Sequence, residues 1–96
     1  MLSNDKLIMP KLVKEIVIKN PQGLHARPAA AFVQIAAKYT SSVTLQKDQD
    51  KVNGKSIMGI LTLGAQKDSL LILEVSGEDA EQAFVELESF LNQIES

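Results

Sequence analysis

The chain's only histidine, His25, stands between a turn-forming stretch, Asn20-Pro21-Gln22-Gly23, and an alanine-rich amphipathic run. Arg27 and Pro28 follow it, and proline suits the first turn of a helix. An imidazole offers a nucleophilic lone pair near neutral pH. A helix start offers unpaired N–H donors and the positive end of the macrodipole. Together with a guanidinium, these make a site where a ring nitrogen can carry an anion such as a phosphoryl group. The backbone N–H groups of Ala26 and Arg27 are the candidate phosphate donors, and the Arg27 side chain the candidate counter-charge. Neither Ala26 nor Arg27 is a favoured N-cap type, so either the imidazole caps the helix or those donors stay open. We expect a ring nitrogen of His25 to cap the helix and later take the group. A lone histidine in a small domain is more often a surface or structural residue. The order turn, His, Arg, Pro is what favours anion chemistry here.

The elements that must position this segment follow from periodicity. Residues 11–19 alternate as a strand, with Leu12, Lys14, Ile16 and Ile18 toward the core. Residues 28–39 read as a helix, with Ala29, Phe32, Val33 and Ala36 on one face. Residues 42–47 form a strand with Val43 and Leu45 inward, residues 48–50 a turn, and residues 51–53 a short return strand. Residues 57–63 read as a short helix with Ile57, Ile60 and Leu61 on one face, stopped by Gly64. Residues 69–75 are the most hydrophobic strand and the expected centre of the sheet. Residues 77–94 read as the longest helix, with the stripe Ala80, Phe84, Leu87, Leu91, Ile94. Ser76 and Asp79 are a possible capping pair for it, and Glu81, Glu86 and Glu88 its solvated acidic face. The order βαββαβα implies an α+β fold, three helices on one face of a four-stranded sheet.

Composition narrows the function. The chain has 96 residues, enough for one domain, no cysteine and a net charge of -2. Disulfides, thiolate chemistry and a multi-histidine metal site are excluded. No metal or cofactor is expected. The charge balance argues against a nucleic-acid partner, and no apolar run is long enough to span a membrane. Residues 1–10 lack a signal-peptide centre and read as a polar, flexible extension before a single domain over residues 11–96. A cytoplasmic monomer is expected.

A second segment carries chemistry. Ser56 precedes the short helix and suits its N-cap, a role that requires no regulation. A phosphate on Ser56 would also be tolerated at that position by the dipole. A short helix cannot bury every face. Met58, off the apolar stripe, is expected to join Ala30, Gln34, Ile57 and Leu61 in a small docking patch beside His25.

The stretch from Asn20 to Ala30 closely resembles the active-site segment of the HPr family, the histidine-containing phosphocarriers of the bacterial phosphoenolpyruvate-dependent sugar phosphotransferase system. Gly54-Lys55-Ser56-Ile57-Met58-Gly59, followed by Leu61-Thr62-Leu63-Gly64, resembles that family's regulatory-serine motif. The resemblance implies an open-faced sandwich, four antiparallel strands under three helices. It implies that His25 Nδ1 accepts the group from Enzyme I and passes it to enzyme IIA domains, with Arg27 assisting. It implies that Ser56 is the target of an HPr kinase/phosphorylase and that a transcriptional regulator reads the result. Such a protein is a stoichiometric carrier, not a turnover enzyme. Where some relatives carry docking lysines, this chain has Gln34 and Ala37, which shifts the expected docking toward apolar contacts. The alternatives are a mainly regulatory interaction module, of nitrogen-branch or corepressor type, and a generic ligand-binding α+β domain.

Overall fold

Strand β1 (Lys11–Val17) leads to helix α1 (Ala26–Ala36), strands β2 (Ser42–Lys47) and β3 (Asp50–Asn53), helix α2 (Ile57–Thr62), strand β4 (Leu70–Ser76) and helix α3 (Ala80–Asn92). The structure, a computed structural model, describes residues 9–95. Most of the extension expected over residues 1–10 therefore lies outside the described residues. The four strands form one antiparallel sheet in the order β1-β4-β2-β3.

β4 lies inside the sheet, as its hydrophobicity predicts, with Leu71, Leu73 and Val75 fully buried. The period of two along each strand sends alternate side chains to the helical layer. Val43 and Leu45 of β2 point inward, and so do Leu12 and Ile16 of β1, with Ile18 just beyond its end. Lys14 shares their face but not their burial: its ammonium reaches the rim and pairs with Glu88 of α3. Phe32 of α1 is fully buried and meets the tilted ring of Phe90 from α3 at 6.4 Å. Ala80, Ala83, Phe84, Leu87 and Leu91 are the buried stripe of α3, and Ile94 packs partly against the core.

Helix boundaries differ from the periodicity at several ends, two of them with a clear structural cause. α1 ends at Ala36 rather than Tyr39, because Lys38 and Tyr39 donate to the carbonyls three residues back, Ile35 and Ala36. α3 begins at Ala80 rather than Gly77. Gly77 adopts a φ of 150°, and a Cβ there would lie 2.4 Å from the Ser41 hydroxyl oxygen. Ser76 belongs to β4, so no Ser76–Asp79 capping pair forms. The Asp79 carboxylate instead accepts hydrogen bonds from the N–H groups of Thr40 (2.9 Å) and Ser41 (3.0 Å) and from the Ser41 hydroxyl. This latch ties the loop before β2 to the start of α3.

The acidic face of α3 is likewise not simply solvated. Glu86 accepts from Lys38 at 2.7 Å and from the Tyr39 hydroxyl at 2.5 Å. Those two bonds hold the Glu86 carboxyl below its ordinary value and raise both Lys38 and Tyr39. Among Glu81, Glu86 and Glu88, only Glu81 has no ion-pair partner among the described residues.

The Ser41 hydroxyl, followed by the Thr40 and Ser41 N–H groups, depresses the Asp79 carboxyl from 3.8 to about 2. A carboxyl more acidic in the folded than in the unfolded chain stabilises above its unfolded value, and loses that contribution as pH falls through the folded value. Asp79→Asn is therefore expected to lower the urea midpoint at neutral pH. The gap from the unaltered protein should close as pH drops from about 4 to about 2. A pH series of urea titrations on both proteins checks this.

Candidate phosphoryl-acceptor site

The segment before α1 is fixed by backbone contacts before His25 is reached. The Gly23 N–H donates to the Asn20 carbonyl at 3.1 Å, and the Asn20 side-chain amide donates back to the Gly23 carbonyl at 2.8 Å. Gly23 has a φ of 67°, and a Cβ on it would lie 2.2 Å from the Ala65 carbonyl oxygen. Only glycine fits that approach. The next N–H, that of Leu24, donates to the same Ala65 carbonyl at 2.9 Å, and the Leu24 side chain is buried in the core. With Leu24 turned in, His25 is left half-buried at the surface.

His25 is the N-cap residue of α1, with an extended backbone (φ -79°, ψ -175°), and its carbonyl accepts the Ala29 N–H at 3.0 Å. Its side chain makes no capping hydrogen bond, contrary to the expectation that the ring caps the helix. The helix itself supplies no partner for the Ala26 and Arg27 N–H groups. Pro28, third in the helix, contributes no N–H at all. No acidic residue sits in the first turn, so nothing there opposes an anion.

Arg27 is exposed, and it borders a cavity of about 330 Å³ with Pro28, Ala31, Phe90, Ile94 and Glu95. The guanidinium therefore shares its surroundings with the last turn of α3 and the residues after it. That neighbourhood joins the two ends of the domain, and no local motif announces it.

Ser56 is the N-cap of α2, with its Oγ accepting the Gly59 N–H at 2.9 Å. Gly59, which weakens a helix by propensity, fits here: a Cβ would lie 3.2 Å from that Oγ. Lys55, which sequence reasoning did not single out, donates its ammonium to the Tyr39 carbonyl at 2.7 Å. It ties the start of α2 to the segment leaving α1. Of the expected docking residues, Met58 is 70% exposed and Ile57 40%, so Ile57 is not on a buried stripe. Of α2, only Ile60 is fully buried, while Leu61 packs partly against the core. Gln34 is exposed and Ala30 half-buried on α1, which packs against α2.

The described residues contain no cluster of three or more His, Asp or Glu side chains able to hold a metal. They contain no helix long and apolar enough to cross a membrane.

Four antiparallel strands in this order under three helices, with a histidine at the N-cap position of α1 and an arginine two residues on, are the arrangement of HPr-type proteins. Residues 12–93 match the family model PTS-HPr, described as the phosphorylation site of the HPr component of the phosphotransferase system. The chain belongs to the HPr family. It is 41% identical over 80 residues to the HPr-like protein Crh of Halalkalibacterium halodurans, covering 83% of this chain and 95% of that one. It is 40% identical over 81 residues to the phosphocarrier protein HPr of Buchnera aphidicola, covering 84% and 95%. The crystal structure of HPr-C-His from Thermoanaerobacter tengcongensis superposes with a TM-score of 0.81 at 46% identity, covering 84% of this chain and 91% of that one.

Because Ser56 caps α2, Ser56→Ala is expected to cost about 1 kcal/mol of stability without any modifying enzyme present. A urea titration of the unphosphorylated protein measures it.

Proposed function

We propose that this chain is a phosphoryl carrier that accepts a phosphoryl group on His25 Nδ1 from Enzyme I, charged by phosphoenolpyruvate, and hands it to enzyme IIA domains. The observation that carries the reading is His25 itself, half-exposed at the N-cap of α1, with Arg27 two residues on and a first turn whose N–H groups the helix does not pair. In the transfer, the Nδ1 lone pair forms a bond to phosphorus as the donor's P–N bond breaks, and the reverse step regenerates neutral imidazole. The chemistry is mainly alignment and charge balance. The Ala26 and Arg27 N–H groups and the guanidinium meet the oxygens of the group, and the docked partner supplies the in-line geometry. The protein is consumed and regenerated one group at a time, not a turnover enzyme. It works in the cytoplasm, and one protomer serves each transfer complex. Partners dock on Ala30, Gln34, Ile57, Met58 and Leu61, a largely apolar surface with no first-helix lysine on it.

Incubation with Enzyme I and phosphoenolpyruvate, read by intact mass, is expected to add one phosphoryl group. His25→Ala should add none. Arg27→Ala should accept the group about 10²-fold more slowly, by analogy with loss of one electrostatic donor. Equal labelling of His25→Ala would overturn the assignment.

A second, regulatory role is favoured by Ser56 at the N-cap of α2 and by the similarity to Crh proteins as well as to HPr proteins. Phosphorylation by an HPr kinase/phosphorylase would replace the bond from Gly59 with a dianion at the same helix end. The new charge would change docking on α2, for a transcriptional regulator or against Enzyme I. With ATP and such a kinase, the unaltered chain is expected to gain one group and Ser56→Ala none, while His25→Ala labels normally.

A further inference from the structure

α1 and α3 pack against each other, and between them they leave an open groove of about 760 Å³. Ile35 of α1 and Val85 and Phe90 of α3 supply its apolar floor. Glu81 and Glu86 line it toward the start of α3, and Gln93 toward the end. Val85 is 66% exposed and lies off the buried stripe of its helix, so the fold gains little from an apolar residue there. Among the described residues only Met58 is a more exposed large apolar side chain.

The walls say what fits. No lysine or arginine lines the groove among the described residues. Glu86 shares its charge with Lys38 and Tyr39, whereas Glu81 has no ion pair among the described residues. A groove with carboxylates at one end suits a cationic occupant and disfavours an anionic lipid surface. Its walls are helices, whose backbone groups are already paired with one another. An extended peptide laid here would leave its own N–H and C=O groups against apolar side chains, while a helix satisfies its own. From Glu81 to Gln93 the groove follows α3 for about 18 Å, or roughly three turns. A second copy of this chain offers no such helix: α2 and α3 contain no lysine or arginine, and α1 only Arg27.

We infer that this groove docks an amphipathic helix of another protein, its apolar stripe over Ile35, Val85 and Phe90 and its lysine or arginine side chains meeting Glu81 and Glu86. The groove shares Phe90 with the cavity beside Arg27, but it uses none of Ala30, Gln34, Ile57, Met58 and Leu61. It is a second contact surface, separate from the one proposed on α1 and α2.

The test titrates the isotope-labelled full chain with a synthetic helical peptide of about three turns, with leucines along one face and lysines at one end, and follows the amide NMR shifts. Saturable shifts are expected at Ile35, Glu81, Val85 and Phe90. Val85→Asp should weaken binding by about tenfold or more, because it sets a carboxylate on the apolar floor. Its thermal transition should match that of the unaltered chain, since the side chain is exposed. Glu81→Lys should weaken the lysine peptide by about tenfold and tighten a twin that carries glutamates in place of the lysines. Met58→Asp, on α2, should change neither. Absence of saturable shifts, shifts confined to α2, equal binding of a scrambled peptide, or indifference to both Val85→Asp and Glu81→Lys overturns the inference. So does saturation by n-hexylamine at the affinity of the peptide, which would assign the groove to a small amphiphile. The same shifts appearing as the chain alone is concentrated would assign it to a second copy and overturn the inference as well.

Discussion

The Ala65 carbonyl oxygen occupies the space that a side chain at residue 23 would need, and it accepts the N–H of Leu24. That single oxygen sets the entry to α1. It forces glycine at 23 and turns Leu24 into the core beneath it. With Leu24 turned in, His25 is left half-buried at the surface. The Asn20 side chain closes the same turn from the other side. Backbone sterics and a buried leucine thus set where the histidine enters the helix. A residue proposed to take up and release a phosphoryl group is well served by such indirect placement.

The core beneath is largely aliphatic, and aliphatic packing is tolerant of small shifts. Polar contacts at the element ends supply the directionality that the core lacks. Asp79 fastens the loop before β2 to the start of α3, Glu86 fastens Lys38 and Tyr39 to its middle, and Lys14 fastens β1 to Glu88. Lys55 then joins α2 to the backbone at Tyr39. The two segments with candidate chemistry, at His25 and Ser56, are therefore held by one framework of three helices.

The element order, the inward faces of β2 and β4 and the stripe of α3 were legible because burial imposes periods of two and 3.6 on the residue types. The N-cap positions of His25 and Ser56 were legible because turn, proline and cap signals are local. What was not legible depended on residues far apart in the chain. Asp79 looked like a cap for its own helix, yet its carboxylate serves Thr40 and Ser41. Glu86 and Glu88 looked like solvent-facing charges, yet each meets a cation from another element. Ile57 matched the apolar face of a helix too short for that face to be fully covered. The cap expected from the imidazole failed for a different reason: the backbone at His25 satisfies the N-cap conformation without help from its ring.

Proline at the third position of α1 has a consequence for energetics rather than geometry. A helix start with all its amides intact grips an anion with several donors at once. Here one of those amides is missing, and in the proposed carrier the grip would rest on two N–H groups and the Arg27 guanidinium. For a chain in the proposed relay, a loose hold is an advantage. A phosphorylated imidazole stabilised too deeply would become a thermodynamic sink, and onward flow of the group would stall. A partially furnished anion site would keep the transfer potential close on both sides, so that the group could run readily in either direction.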